Sequence, residues 1–409
     1  MNALVALSKA GGKFTLYQPI ILYRKFTAAH IFTGHQLLDS NFVLITTAQG
    51  EVVSIVAKDD AGDDIEFLEG MLSPGFINAH CHLELSHLKN VIPAGTGLVQ
   101  FVQQVITKRS PLDEAKLLAM HAAETEMYNS GIVAVGDICN TADTIYIKQK
   151  SKLHWHNFIE VSGFVDAAAM QRLDAAKVIA ALFMDEAQKK SLSPHAPYSV
   201  STILFEQLNI ETASQLITIH NQECAAEDEL YQNKTGDFLS LYKNFGIDIA
   251  SFEPTGKTSL QSWLPYFTNN QSIISVHNTF ASQADIAFAS QHPHLYFCLC
   301  INANKYIEQK IPPIDLLRKN TANIILGTDS YASNWELNIL EEIKSIQQAT
   351  SYSIPLQEIL QWATINGAHA LQMDDVLGSF EKGKKPGVVL IQGLNGLHTT
   401  ASSFASRIL

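Results

Sequence analysis

His80 and His82 stand one residue apart at the end of the short apolar run GFINAHCH. On an extended backbone the side chains at i and i+2 point to the same side, so both imidazoles can reach one metal ion. Further along, His220 ends the run LITIH, His277 ends IISVH and Asp329 ends NIILGTD. Three neutral imidazoles and a carboxylate make a donor set for a divalent ion of the zinc type, with a position left for water. Such an ion lowers the pKa of that water to about 7. Glu223 follows His220 by three residues, near enough to carry a proton from the water to a substrate nitrogen. Hydrolysis of a C–N bond needs that carrier, because amide or amidine nitrogen leaves badly as an anion. Asp329 could bind the ion, take the water proton, or both. Singly, each residue has an ordinary explanation. A strand-end histidine is usually just hydrogen-bonded, Asp329 after Gly-Thr could cap the helix near Trp335, and Glu223 could be a solvated acid beside Glu227, Asp228 and Glu229. The order of the set along successive apolar runs is what accident does not supply.

Those runs set the architecture. From Pro74 onward, eight short apolar stretches (GFINAH, IVAVGDI, FIEVSGF, one near Leu192, LITIH, IISVH, LYFCLC and NIILGTD) alternate with helical stretches at Asp113–Tyr128, Asp174–Gln188, Thr202–Asn209, Ala281–Ser290 and Trp335–Gln348. Eight β-then-α units predict an α/β fold, a (β/α)8 TIM-type barrel with its active site at the C-terminal strand ends. Before it, alternating runs with turn signals between about Ile20 and Leu72 read as β structure. After it come a turn-rich segment, a strand at Val388–Ile391 and a possible last strand in Ser402–Leu409. Both chain ends are expected to build one small β-sandwich. The predicted domains are 1–73 and 376–409 for the sandwich and 74–375 for the barrel.

The chain has 409 residues, 46% of them hydrophobic, enough for a large core. With 28 Lys and Arg against 40 Asp and Glu, the net charge is -12, and there are no basic runs. Nucleic acid and anionic membranes are therefore poor partners. A small molecule is the expected ligand, and symmetry base rates favour a homodimer. Five cysteines without a paired framework suggest reduced thiols and a cytoplasmic location. The opening MNALVALSKAGGKF lacks a basic stretch before its apolar patch, so it reads as a poorly ordered arm and not as a signal peptide.

The motifs PGFINAHCHLE, SPHAPYS, IHNQE, SVHNT and GTDSYASN together resemble the amidohydrolase superfamily, specifically its mononuclear metal-dependent deaminase branch, over roughly residues 42–393. That resemblance implies that His80, His82, His220 and Asp329 bind one divalent metal ion, zinc before iron or manganese. It implies that Glu223 shuttles protons, that His277 holds the attacking water and does not ligate, and that His195 contacts the substrate ring. The catalytic set is then Glu223, His277 and Asp329. Ser330, in GTDSYASN, and Asn302, in the strand-seven segment CLCIN, are expected on the substrate side. That segment departs from the family's usual Cys-Pro-x-Ser-Asn. The tail GKKPGV likewise departs from Gly-Lys-x-Ala-Asp-Leu. No strand-four lysine is placed to bridge a second metal. HCHLELSHL and GTGLVQFV resemble the aminodeoxyfutalosine deaminases, whose substrate is an adenine nucleoside with a large 5′ substituent. Glu84 and Ser86 could hydrogen-bond a ribose diol or an amine, or Glu84 could be a helix-start acid or close a salt bridge. Phe101, Trp155, Tyr198 and Trp335 are candidates for stacking on the ring. The expected reaction converts an amino-purine to its oxo product plus ammonia. One alternative is another C–N or C–Cl bond, as in a triazine, cyclic amide, guanine or cytosine. The other is a non-catalytic barrel with a vestigial site. The deaminase fold that pairs His-x-Glu with Pro-Cys-x-x-Cys is excluded, because Cys298 and Cys300 are one residue apart.

Overall fold

The computed structural model describes residues 22–185, 188–321 and 323–409. The expected N-terminal arm lies outside them. Strands β1 (Tyr23–Phe32), β2 (Leu37–Asp39), β3 (Phe42–Thr47), β4 (Val52–Ala57) and β5 (Ile65–Pro74) open the chain. Eight strands follow: β6 (Phe76–Cys81), β7 (Ile132–Cys139), β8 (His154–Val161), β9 (Lys189–Pro194), β10 (Leu216–Asn221), β11 (Ser272–His277), β12 (Leu295–Leu299) and β13 (Ile324–Leu326). The chain closes with β14 (Val388–Gln392) and β15 (Phe404–Arg407).

Strands β6 to β9 form one parallel sheet and β10 to β13 another. Their residues are buried almost throughout, as the unbroken apolar runs require when helices cover a parallel sheet. The two sheets meet at both edges. The His220 N–H donates to the His195 carbonyl at 2.9 Å, and the Thr328 N–H donates to the His80 carbonyl at 3.1 Å. Asn78 reinforces the second seam, donating from Nδ2 to Thr328 Oγ1 at 2.8 Å and accepting from the Thr328 N–H at 3.0 Å.

The strands from the two chain ends join one seven-stranded sheet in the order β15-β14-β5-β1-β3-β4, with β2 paired to β1. Phe26, Ile31, Leu44, Leu72, Val388 and Leu390 pack together against it. Among the described residues, no helix is long and apolar enough to cross a membrane.

Most expected helices appear within a few residues of their predicted bounds. Asp113 caps Glu114–Asn129 by accepting from the Lys116 N–H at 2.8 Å. Two differ more. The helix expected at Asp174–Gln188 runs Ala169–Leu182, and the one expected from Trp335 starts only at Ile339. There Asn338 is the cap, accepting from the Leu340 N–H at 2.9 Å, so Asp329 is free of that duty.

Candidate active site

The eight strands carry the predicted residues to one end. His80 lies inside β6 and His82 just past it, and His220 lies inside β10. His277 is the last residue of β11, with φ at +72°, and Asp329 follows β13 with φ at +58°. Neither is glycine, so this left-handed backbone is sterically unfavourable, and here it turns both side chains inward.

The His82 Nε2 atom lies 3.2 Å from His80 Nε2 and 3.2 Å from His220 Nε2. Asp329 Oδ1 lies 3.3 Å from His82 Nε2 and 3.5 Å from His80 Nε2. One ring nitrogen carries at most one hydrogen, so His82 Nε2 cannot donate to both imidazoles and the carboxylate. Four buried donor atoms within 4.8 Å of one another fit a shared cation instead. For metal–ligand bonds of about 2.0–2.1 Å, the edges of a tetrahedron are about 3.3–3.4 Å, close to these spacings. The residues present therefore fit a divalent metal ion.

Supporting contacts fix the donors. The His195 carbonyl lies 2.8 Å from His220 Nδ1, which it orients as a hydrogen-bond donor. Ser333 Oγ donates to Asp329 Oδ2 at 2.6 Å, leaving Oδ1 toward the histidines. The Leu83 N–H, directly after His82, donates to Asp137 Oδ1 at 2.7 Å, and Asp137 pairs with fully buried Lys148. Burial pushes the His82 and His220 imidazoles well below their ordinary pKa, which keeps them neutral. Burial alone would raise Asp329. Its hydrogen bond to His80 and the nearby imidazoles outweigh that and hold it well below the carboxylate range.

Glu223 and His277 flank this cluster, with Glu223 Oε1 3.5 Å from His277 Nε2. Burial, and next the charge of Asp329, push Glu223 well above the carboxylate range. Burial holds His277 down to about 4, against the opposing pull of Asp329. His277 Nδ1 faces Asn304 Oδ1 at 3.4 Å, and Asn304 Nδ2 is hydrogen-bonded to Thr279. Among the described residues, His277 Nε2 has no hydrogen-bond partner.

A cavity of about 570 Å³ opens on this group. His195 and Ser330 line it, as do Phe101 and Tyr198. The other predicted substrate contacts do not. Glu84 is buried in a network of its own, accepting from Arg109, the Asn140 and Thr141 N–H groups and the Thr141 hydroxyl. Ser86 Oγ donates back to the Leu83 carbonyl, and Asn302 Oδ1 accepts from Ser345. Both Glu84 oxygens and these two polar groups are thus engaged within the protein. Trp155 is core, and Trp335 lies outside the cavity against Tyr306. Sequence reasoning passed over Glu160, Arg109 and Arg172, which do line the cavity. An acid next to the end of the run FIEV was the available signal for Glu160; Arg172 lies within the helix Ala169–Leu182 and Arg109 directly after Leu98–Lys108, and neither carried one.

The sequence profile of the amidohydrolase family matches residues 71–406. An aminodeoxyfutalosine deaminase from Nitratiruptor sp. is 26% identical over 396 residues, covering 89% of this chain and 92% of that protein. A 5-methylthioadenosine/S-adenosylhomocysteine deaminase from Thermoanaerobacter pseudethanolicus is 27% identical over 355 residues, covering 80% and 74%. The crystal structure of Helicobacter pylori aminofutalosine deaminase in complex with methylthio-coformycin superposes with a TM-score of 0.76 at 22% identity, covering 92% of this chain and 93% of that one.

Proposed function

The chain belongs to the amidohydrolase family, and on that premise we propose that it is a metal-dependent hydrolytic deaminase. It converts the amino group of an adenine-type nucleoside to an oxo group and releases ammonia. The observation that carries this reading is the pairing of the four-donor cluster with buried Glu223 and His277 at its edge, where Glu223 Oε1 lies 3.5 Å from His277 Nε2. The deaminase relatives support the adenine ring as substrate.

His80, His82, His220 and Asp329 would hold one divalent ion, zinc by the donor set. When bound, it supplies the charge that brings the pKa of a water to about 7. Glu223 trades protons: it gives one to the ring nitrogen beside the carbon under attack, takes one from the water, passes it to the departing amine, and recovers the hydroxyl proton as the oxo group forms. His277, with its Nδ1 side turned to Asn304, presents Nε2 as an acceptor that orients the water. Asp329, held anionic, shares that task. Ring contact falls to His195 and Ser330.

The cavity beyond the ring favours a nucleoside with a bulky 5′ substituent, aminodeoxyfutalosine among them. Its walls there are apolar, from Leu98, Val105, Phe164, Phe245 and Ile247, and the Arg172 guanidinium on the same wall has no ion-pair partner among the described residues.

Glu223→Gln tests the reaction. We expect the variant to keep its metal while kcat for ammonia release from adenine nucleosides falls by about 10²–10⁴-fold. Near wild-type turnover would refute the proton-carrier role.

The architecture follows the same reading. The seam bonds support closure of the two parallel sheets into a (β/α)8 barrel over 74–375, with the described part of 1–73 and 376–409 folding as a small sandwich about the Phe26–Leu390 cluster. Five buried free cysteines accord with the reducing cytoplasm. Symmetry base rates favour a homodimer.

A further inference from the structure

Glu160, next to the C-terminal end of β8, lines the cavity with its side chain only 6% exposed. Its two oxygens differ. Oε2 accepts from Asn140 Nδ2 at 2.7 Å, and Asn140 is itself fixed through its backbone N–H, which donates to Glu84 Oε2 at 3.1 Å. Oε1 has no hydrogen-bond partner among the described residues. It lies 4.0 Å from His195 Nε2 and 3.9 Å from His220 Nδ1, beyond hydrogen-bond reach of either. The fold thus anchors one oxygen and leaves the other buried and unsatisfied against two cavity-lining histidines. A buried acceptor without a donor is costly, and it persists where a ligand supplies the donor.

Glu160, His195 and His220 are close enough together to suggest a second cation. His220 Nδ1 is already committed to the His195 carbonyl at 2.8 Å, which leaves that set one donor short. A hydrogen-bond donor is the better occupant. An ionised carboxylate only accepts, so it reads O–H and N–H groups. The ring of an N9-linked adenine carries one such group, the exocyclic amine, and that amine is the group lost at the Glu223 end. The donors that remain on the nucleoside core are the sugar hydroxyls.

We propose that Glu160 Oε1 accepts a hydrogen bond from a ribose hydroxyl of the substrate, and so makes the site selective for ribosides over their deoxy counterparts. This rests on the deaminase reading above and adds to it the residue that recognises the sugar.

The probe is 5′-deoxyadenosine, whose only hydroxyls are the 2′ and 3′ groups, compared with its further 2′-deoxy and 3′-deoxy forms. A hydrogen bond to a charged acceptor predicts that the wild-type kcat/KM falls about 10–100-fold when the recognised hydroxyl is removed. Glu160→Gln lowers kcat/KM for the full riboside by a similar factor and leaves the deoxy form that lacks that hydroxyl unchanged. Wild-type rates that are equal on all three sugars overturn the inference, whether or not the variant folds. So does a variant that loses the same factor on every sugar while keeping wild-type metal content and melting temperature. If wild-type protein releases ammonia from none of the probes, the deaminase reading falls and this inference with it. Turnover without sugar discrimination sinks this inference alone.

Discussion

Gly327→Ala should weaken the metal site without touching a ligand. Gly327 lies between β13 and Asp329, packed between His80 of β6 and Cys298 of β12. A Cβ built there would stand 2.8 Å from His80 Cβ, 2.9 Å from Cys298 Sγ and 3.0 Å from the His80 backbone nitrogen. Carbon atoms approach comfortably to about 3.5 Å, so the shortfall against His80 is about 0.7 Å. None of these neighbours is the mobile tip of a long side chain. His80 Cβ and N belong to a buried strand, and Cys298 is fully buried in the next sheet. Relief must come from moving β6, and His80 moves with it. Metal–ligand distances hold to within about 0.2 Å, so even part of that shift spoils the donor set. We expect metal affinity to fall by about 10–100-fold, the range for losing a supporting contact, and stability to fall by about 1–3 kcal/mol from overpacking. Competition with a chromogenic chelator gives the first figure and urea unfolding of the metal-free protein gives the second. Affinity and stability indistinguishable from wild type would mean that His80 is not pinned by Gly327, and the steric reasoning would fail.

Two further outcomes follow from the buried charges. Lys148→Met leaves Asp137 buried without its cation and should cost about 3–5 kcal/mol by urea unfolding, while Asp137→Asn/Lys148→Met should recover part of that loss. A double variant no better than the single one would show that the pair is not coupled. Burial, helped by nearby Lys189, holds His156 down to about 3, so the unfolded chain binds a proton below about pH 6.5 that the folded chain refuses. Stability is therefore lost as pH falls from about 6.5 toward 3, and in His156→Gln that slope should be shallower by about one proton. Equal slopes in the two proteins would contradict the burial argument.

The donor set was legible because its four members close three apolar runs, His80 and His82 sharing one, and strand ends on one side of a parallel sheet are neighbours in space whatever lies between them in sequence. Glu223 was legible for a related reason: three residues past a strand end is still the rim of the same cavity. Glu84 was open to two readings, a substrate contact or a salt bridge, and sequence alone could not choose between them for want of distance information. It follows the metal pair closely in sequence, yet the chain turns away after His82, and the acid is spent on Arg109 and the start of the segment after β7. The late start of the helix at Ile339 has a comparable cause. Asn334, held by the Thr328 carbonyl, accepts from the Trp335 and Glu336 N–H groups, and that forms a turn where helical periodicity alone predicted a helix. The hydrogen bond from Leu83 to Asp137 joins parts of the chain 54 residues apart, too far for any local pattern to link.

Backbone conformation carries the same argument further. Gln222, His277, Asn278 and Asp329 all have φ between +45° and +72°, and all four sit within three residues of a strand end at the site. For residues with a Cβ this costs of order 1–3 kcal/mol each, so it survives only where the surroundings over-determine it. They do here. The Asn278 N–H donates to the Asn221 carbonyl at 2.9 Å and the Asp329 N–H to the His80 carbonyl at 3.0 Å, while the Gln222 N–H donates to Glu227 Oε1 at 2.6 Å. Asn278, Asp329 and Gln222 are therefore tied to a neighbouring strand or to a buried acid; the β10–β11 contact fixes the chain directly after His277, and the seam between β13 and β6 aims Asp329. A glycine at either position would relieve the backbone and delete the chemistry.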